Sequence, residues 1–278
     1  MSLFEQYKPS LDKMFQVSMN QVMDEESFYE AVKDKFDILE EKIEGLSAEK
    51  AQKIFSKSVI SRAQKVHNRI LLIRDLIGKI GNADNFIELY MYPGLITYLY
   101  LTCFDQLGAP IKGWRFFPAW IDSKSCADEV ETAIDSAMAK FDEPKLMVKD
   151  VYNQYHENYG VKNSFFRFLR EILPIDSRNI LLNSILVEKW ANGNEQIFPF
   201  EVDDVYKEKW LHEVRNNYTH NLFTTQTNAA DGKFIGEEKW LIRERKLTAD
   251  GTIIIWVIDD FDSILENCVL QGIQVLIE

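Results

Sequence analysis

Apolar residues recur at helical spacing along most of the chain. From 25 to 45, Phe28, Phe36, Ile38, Leu39 and Ile43 punctuate a run rich in acids, which predicts an amphipathic helix. Ser47 can cap a second one, which the pattern carries unbroken to Gly78 or Gly81 with Ile60, Val66, Ile70, Leu71, Ile73 and Ile77 as its buried stripe. Tyr92-Pro93-Gly94 should break the next segment, after which Leu95 to Leu107 is apolar on every face and reads as a central helix. A loop over 108–119 follows, with Pro110, Gly113 and Pro118; its Trp114, Phe116, Phe117 and the adjoining Trp120 read as core plugs rather than base-stacking rings. Helices are expected over 125–141, 147–158 and 163–173, the last ended by Pro174. Asp176 or Ser177 then caps a helix through Ile185-Leu186-Val187 to Trp190. Asn192-Gly193-Asn194 is a turn, and Asp203 or Asp204 caps a helix over 205–221. The period then changes: Trp240-Leu241-Ile242, an Asp250-Gly251 turn and Thr252 to Ile258 predict a two-stranded hairpin, with an apolar helix over 260–277 closing the chain.

The expected fold is therefore mainly α, one predominantly helical body over 1–278 with a β-hairpin at about 238–258. No internal repeat and no Gly/Ser/Pro-rich linker divides it. Only 12 Gly and 7 Pro in 278 residues argue against a turn-rich β-sandwich. Three widely spaced cysteines (Cys103, Cys126, Cys268) without a Cys-x-x-Cys pair point to reduced thiols, not to a disulfide framework or a zinc site. The N-terminus lacks a signal-peptide pattern, and the most apolar window, Phe86 to Leu101, is too short and interrupted to span a bilayer, so a soluble cytoplasmic protein is expected. With a net charge of −12, the bulk surface does not suit non-specific nucleic-acid binding; any such site must be local. Acidity is indeed uneven, because Val205 to Asp250 is nearly balanced while the remainder carries the negative excess.

Phosphate-binding loops, dinucleotide fingerprints, nucleophile elbows and His-Glu-x-x-His zinc motifs are all absent. None of His67, His156, His212 and His220 has another histidine four residues away, and His212 and His220 are two helical turns apart, too far to share one zinc. What stands out is Trp210-Leu211-His212-Glu213-Val214-Arg215-Asn216-Asn217-Tyr218-Thr219-His220-Asn221. On an ideal helix Trp210, Leu211, Val214, Tyr218 and Leu222 form one apolar arc, Arg215 borders it, and Asn216 and His220 are neighbours on nearly the opposite face. A solvated polar face or a polar helix–helix contact would also place them there. Tyr218 reads as packing. Asp105, after the central helix, reads as a cap or surface residue rather than a site residue. The same Arg-to-His spacing occurs at Arg62-Ala63-Gln64-Lys65-Val66-His67, without the Asn, and reads as accident.

Arg215-Asn216 followed by His220 resembles the Arg-Asn-x-x-x-His signature of the HEPN superfamily, helical proteins many of which are metal-independent ribonucleases. The preceding apolar helix, Tyr98 to Gly108, and the Phe165 to Leu173 segment look like the bundle helices that accompany it. The resemblance extends over residues 60–278, most strongly over 205–222, leaving 1–59 as an N-terminal helical extension; the hairpin lies outside the minimal family bundle. It implies an endoribonuclease that needs no cofactor or metal, with Arg215 holding the scissile phosphate, His220 as general base or acid and Asn216 orienting His220 or the phosphate. Arg215 and His220 are ~140° apart on an ideal helix, and the family's arrangement is a homodimer whose two motifs face one cleft. RNA, a cognate antitoxin or a regulatory protein are the implied partners, in a toxin or phage-defence setting. A non-catalytic HEPN module binding a nucleotide, RNA or protein is the alternative.

Overall fold

The computed structural model describes residues 2–80, 86–110, 116–190, 197–199, 201–221, 241–247 and 252–278; at 80, 86–93, 161, 190, 197–199, 218–221, 241–247 and 259 it describes the backbone alone. Two amphipathic helices, α1 (Leu3–Val17) and the acid-rich α2 (Glu25–Ile43), open the chain. Each starts on a side-chain cap: Ser2 Oγ accepts from the Glu5 amide and Asp24 Oδ1 from that of Ser27. The long helix expected from Ser47 is instead two, α3 (Ala48–Phe55) and α4 (Val59–Ile80). Local side-chain bonds explain the break. Ser58 Oγ accepts from the Ser61 amide at 3.1 Å and so starts a new helix, while Ser56 Oγ donates back to the Lys53 carbonyl.

Helix α5 (Phe86–Leu107) runs straight through the predicted break at Pro93. Proline there removes one donor and orphans the Leu89 carbonyl, but a helix packed against α4, α9 (Val161–Arg167), α11 (Asp204–Asn221) and α12 (Phe261–Ile277) is held from outside. Ile96, Tyr100, Leu101, Phe104 and Leu107 are all fully buried, so the central position expected for Leu95 to Leu107 holds.

One apolar core runs from Leu11 and Phe28 through Ile73 and Phe168 to Val269 and Ile277, so the N-terminal helices share it with the rest. A smaller core gathers Trp120, Cys126, Val130, Ala133, Val151 and Tyr155 between α6 (Phe117–Ile121), α7 (Ala127–Lys140) and α8 (Pro144–Tyr159). Of the loop aromatics, Trp120 is buried and Phe117 packs on it, but Phe116 is 85% exposed and no plug; Trp114 lies outside the described residues.

The second half departs more from expectation. Pro174, not Asp176 or Ser177, precedes α10 (Ile175–Ser184), and the apolar run after it is strand β1 (Ile185–Trp190) rather than helix. Burial shows why: Ile185 and Val187 point inward while Leu186 is 56% exposed, the period-two alternation of a strand that three consecutive aliphatic residues conceal. The hairpin β3 (Leu241–Leu247) and β4 (Ile253–Asp259) is present, with Leu247 opposite Ile253. It is no isolated embellishment, however. With β1 and β2 (Ile197–Pro199) it forms a four-stranded antiparallel sheet in the order β2-β1-β4-β3. The expected turns at Asn192-Gly193-Asn194 and Asp250-Gly251 lie outside the described residues.

Two acids clamp this framework, Glu208 buried and Glu266 half-buried. Glu208 of α11, with no exposed surface, meets Arg170 at 2.6 Å and Arg178 at 2.9 Å. Glu266 of α12 accepts from Arg74 of α4 and from the Tyr100 hydroxyl of α5. No described helix is long and apolar enough to cross a membrane.

The chain just past α5 lies tight against α9 at Gly108, where a Cβ would overlap the Ser164 carbonyl and crowd the Phe168 amide. Backbone atoms cannot swing aside, so Gly108→Ala should lower stability by about 1–3 kcal/mol or more, read as a fall of several degrees in the thermal midpoint by circular dichroism. An unchanged midpoint would contradict this helix contact.

Candidate functional site

The site is built on α11. Asp203 begins that helix, its Oδ1 accepting from the Val205 amide at 2.9 Å, in line with one of the two expected caps. Trp210, Leu211 and Val214 then form a fully buried face, and the Trp210 ring stacks on Trp256 of β4 with centroids 5.5 Å apart. The hairpin thus braces the motif helix from behind, while α5 lies against its other side.

Arg215 borders the apolar face, as the helical wheel requires, and its side chain turns toward α5. Its Nε and Nη2 both donate to Asp105 Oδ2, at 3.0 and 2.7 Å, and its Nη1 donates to Asn216 Oδ1 at 2.9 Å. The Asn216 amide nitrogen in turn donates to Nδ1 of His212, one turn back, at 3.2 Å. An amide nitrogen can only donate, and with Nε2 also 3.5 Å away the imidazole is the acceptor of this contact. The imidazole packs against Phe165 and Phe166, each 5.3 Å away between centroids. Burial first, then the charges of Arg215 and Lys162, depress its pKa to about 4. His212 is therefore a neutral positioning group at physiological pH.

Asp105 is the residue that pattern reading misplaced. It is neither cap nor surface: 4% of it is exposed, and its second oxygen, Oδ1, has no hydrogen-bond partner. Burial pushes its carboxyl up to about 6, against the opposing pull of Arg215 and, more weakly, Arg69. A carboxyl titrating near neutrality beside a guanidinium, with one oxygen undonated, is a candidate functional group on physical grounds.

The structure thus brings Arg215 and Asn216 together and adds Asp105 and His212. His220 belongs to the last turn of α11, but its side chain, like that of Tyr218, lies outside the described residues, as does Leu222 altogether. Asn216, expected to orient His220 or a phosphate, has its amide engaged at one end by Arg215 and at the other by His212, while any contact with His220 lies outside the described residues. One signal for His212 was available in the sequence, since it stands four residues before Asn216. No sequence signal identified Asp105, 110 residues from its partner.

The decoy pair at 62 and 67 behaves as accident predicts. Arg62 donates to the Ala109 and Pro110 carbonyls, whereas His67 is buried against Ser18, its Nδ1 3.1 Å from the hydroxyl, and burial holds its pKa at about 4. The two groups point into unrelated surroundings. Among the described residues no three of His, Cys, Asp and Glu gather as a metal-binding set. Comparison of the chain with protein-family models, with curated proteins and with solved structures gives no match.

Because the Asp105 pKa is raised on folding, the folded chain takes up this proton more readily than the unfolded one. The stability tied to it is fully present below the ordinary value of 3.8 and is lost as pH rises through about 6. Wild type should accordingly gain stability relative to Asp105→Asn on going from pH 7 to pH 4, by up to about 3 kcal/mol. Urea unfolding across that range measures it; a relative loss would mean that the ion pair, not burial, governs the carboxyl.

Proposed function

We propose that the protein is a metal-independent endoribonuclease of HEPN type. The observation that carries the reading is the Arg215 guanidinium, fixed between the buried Asp105 carboxylate of α5 and Asn216 at the border of the motif helix's buried face, with 15% of its side chain still open to solvent. A guanidinium held in this way keeps a defined direction for its planar fork, which suits a phosphodiester oxygen.

The reaction is attack of a ribose 2′-OH on its own 3′-phosphate. The new O–P bond forms as the bond to the next nucleotide's 5′-oxygen breaks, leaving a 2′,3′-cyclic phosphate and a 5′-OH. The substrate supplies the nucleophile, so no activated water is needed, and the 2′-OH explains RNA rather than DNA as substrate. His220 is assigned the proton transfer, removing the 2′-OH proton or protonating the leaving oxygen, a role that typically contributes ~10²–10⁴-fold. Arg215 stabilises the phosphorane charge, while Asp105, Asn216 and His212 act as positioning residues behind it. A homodimer with two α11 motifs facing one cleft would double the positive charge on an otherwise acidic particle. The partners and setting implied by the resemblance, an antitoxin or regulator in defence, belong to the same proposal.

A second reading has its own support. The Asp105 carboxylate offsets the charge of Arg215, which suits a non-catalytic module that binds RNA, a nucleotide or a protein.

Purified protein should cut single-stranded RNA in EDTA and leave cyclic phosphate ends, with His220→Ala lowering the rate at least ~10²-fold and Arg215→Gln doing likewise. Cleavage that EDTA abolishes, or that persists in His220→Ala, overturns the mechanism. RNA retention without cleavage favours the binding module.

A further inference from the structure

A second cationic cluster lies away from the motif helix, in a cleft between the main core and the smaller core around Trp120. The cleft has a volume of about 830 Å³, within the range of small-molecule sites. At one end two guanidiniums converge on three successive carbonyls just past α5: Arg167 donates to Gly108 at 3.1 Å, and Arg62 to Ala109 at 2.9 Å and to Pro110 at 2.6 Å. Leu107, Ile172 and Leu276 provide apolar wall, and Tyr159 and Glu129 stand among the lining residues.

Tying down the end of a helix accounts for the carbonyl bonds, since cations suit a helix C-terminus. It does not account for the charge. Arg62 is 7% exposed and no described carboxylate pairs with it. Arg167 has only Glu171, at 3.9 Å, and that residue's side chain is 69% exposed. Neutral carbonyls satisfy donors but carry no net charge, and a buried cation without an anion is costly. Burial, and then the charge of Arg167, pull the Arg62 pKa down, a sign that the two guanidiniums feel each other. The other acid lining the cleft among the described residues, Glu129, accepts from the Tyr159 hydroxyl at 2.7 Å and lies within reach of Trp120 Nε1. Each guanidinium has five N–H donors, and the carbonyls take only some of them.

We propose that this cleft binds a small organic anion, its phosphate or carboxylate seated between Arg62 and Arg167 and its apolar body against Leu107, Ile172 and Leu276. The site shares no residue with Arg215, Asp105, Asn216 or His212, so it stands or falls independently of the ribonuclease reading.

Isothermal titration of the full chain at fixed ionic strength tests it, with phenyl phosphate and benzoate as anionic probes and phenol as the neutral one. One or both anions should bind saturably in the sub-millimolar range while phenol does not, and Arg167→Gln should weaken binding at least ~10-fold. Val275, on the rim and 40% exposed, gives a variant that leaves both guanidiniums intact: Val275→Trp should fill the cleft and weaken binding comparably. Preference for phenyl phosphate would indicate a phosphate ester as the natural ligand, and preference for benzoate a carboxylic acid. Absence of saturable anion binding to wild type, equal binding of phenol, or binding unchanged in both variants would overturn the proposal.

Discussion

Asp105 sits in the last turn of α5, the helix that α4, α9, α11 and α12 all pack against, and folding carries its carboxylate out of water. A lone buried carboxylate is costly enough that it must be compensated or protonated. Arg215 supplies the compensation from α11, and that single requirement fixes how α11 is rotated about its axis. With Arg215 turned toward α5, Trp210 and Leu211 face inward, Asn216 falls beside the guanidinium and His212 falls beside Asn216. The sheet follows in turn, because Trp256 of β4 stacks on Trp210.

Glu208, Glu266 and Asp105 each join helices, and they are not equivalent. Glu208 is met by two arginines, one on each oxygen. Glu266 receives Arg74 on one oxygen and the Tyr100 hydroxyl on the other. Both are satisfied at each end, as structural clamps should be. Asp105 alone among them has an oxygen without a partner among the described residues, and burial pushes its carboxyl up to about 6. A clamp built only for stability would gain by donating to that oxygen, and an undonated oxygen beside the one guanidinium of the motif is what makes this pair the candidate site.

Local periodicity was enough to find most helices, because their buried stripes recur within a few residues. It failed where distant contacts decide. Ile185-Leu186-Val187 looks helical until β4, some seventy residues on, is paired with it. Pro93 looks like a terminator until four neighbouring helices hold α5 together. Ser58, by contrast, was a local signal passed over, a cap hidden inside a longer apolar pattern. At the site the same division applies. Arg215 and Asn216 were legible from one helix turn, and so in principle was His212, whereas Asp105 became visible only once α5 and α11 lay side by side. Arg62 and Arg167 likewise share nothing in sequence beyond their charge; the carbonyls of Gly108 to Pro110 bring them together.

The central claim is that Asp105 and Arg215 act as one unit joining α5 to the motif helix. A double-mutant cycle in urea at pH 7.5, comparing wild type, Asp105→Asn, Arg215→Gln and the double variant, measures it directly. A coupling energy of at least ~1 kcal/mol is predicted, whereas effects that add within ~0.5 kcal/mol would show that the two groups do not depend on each other, contradicting the account.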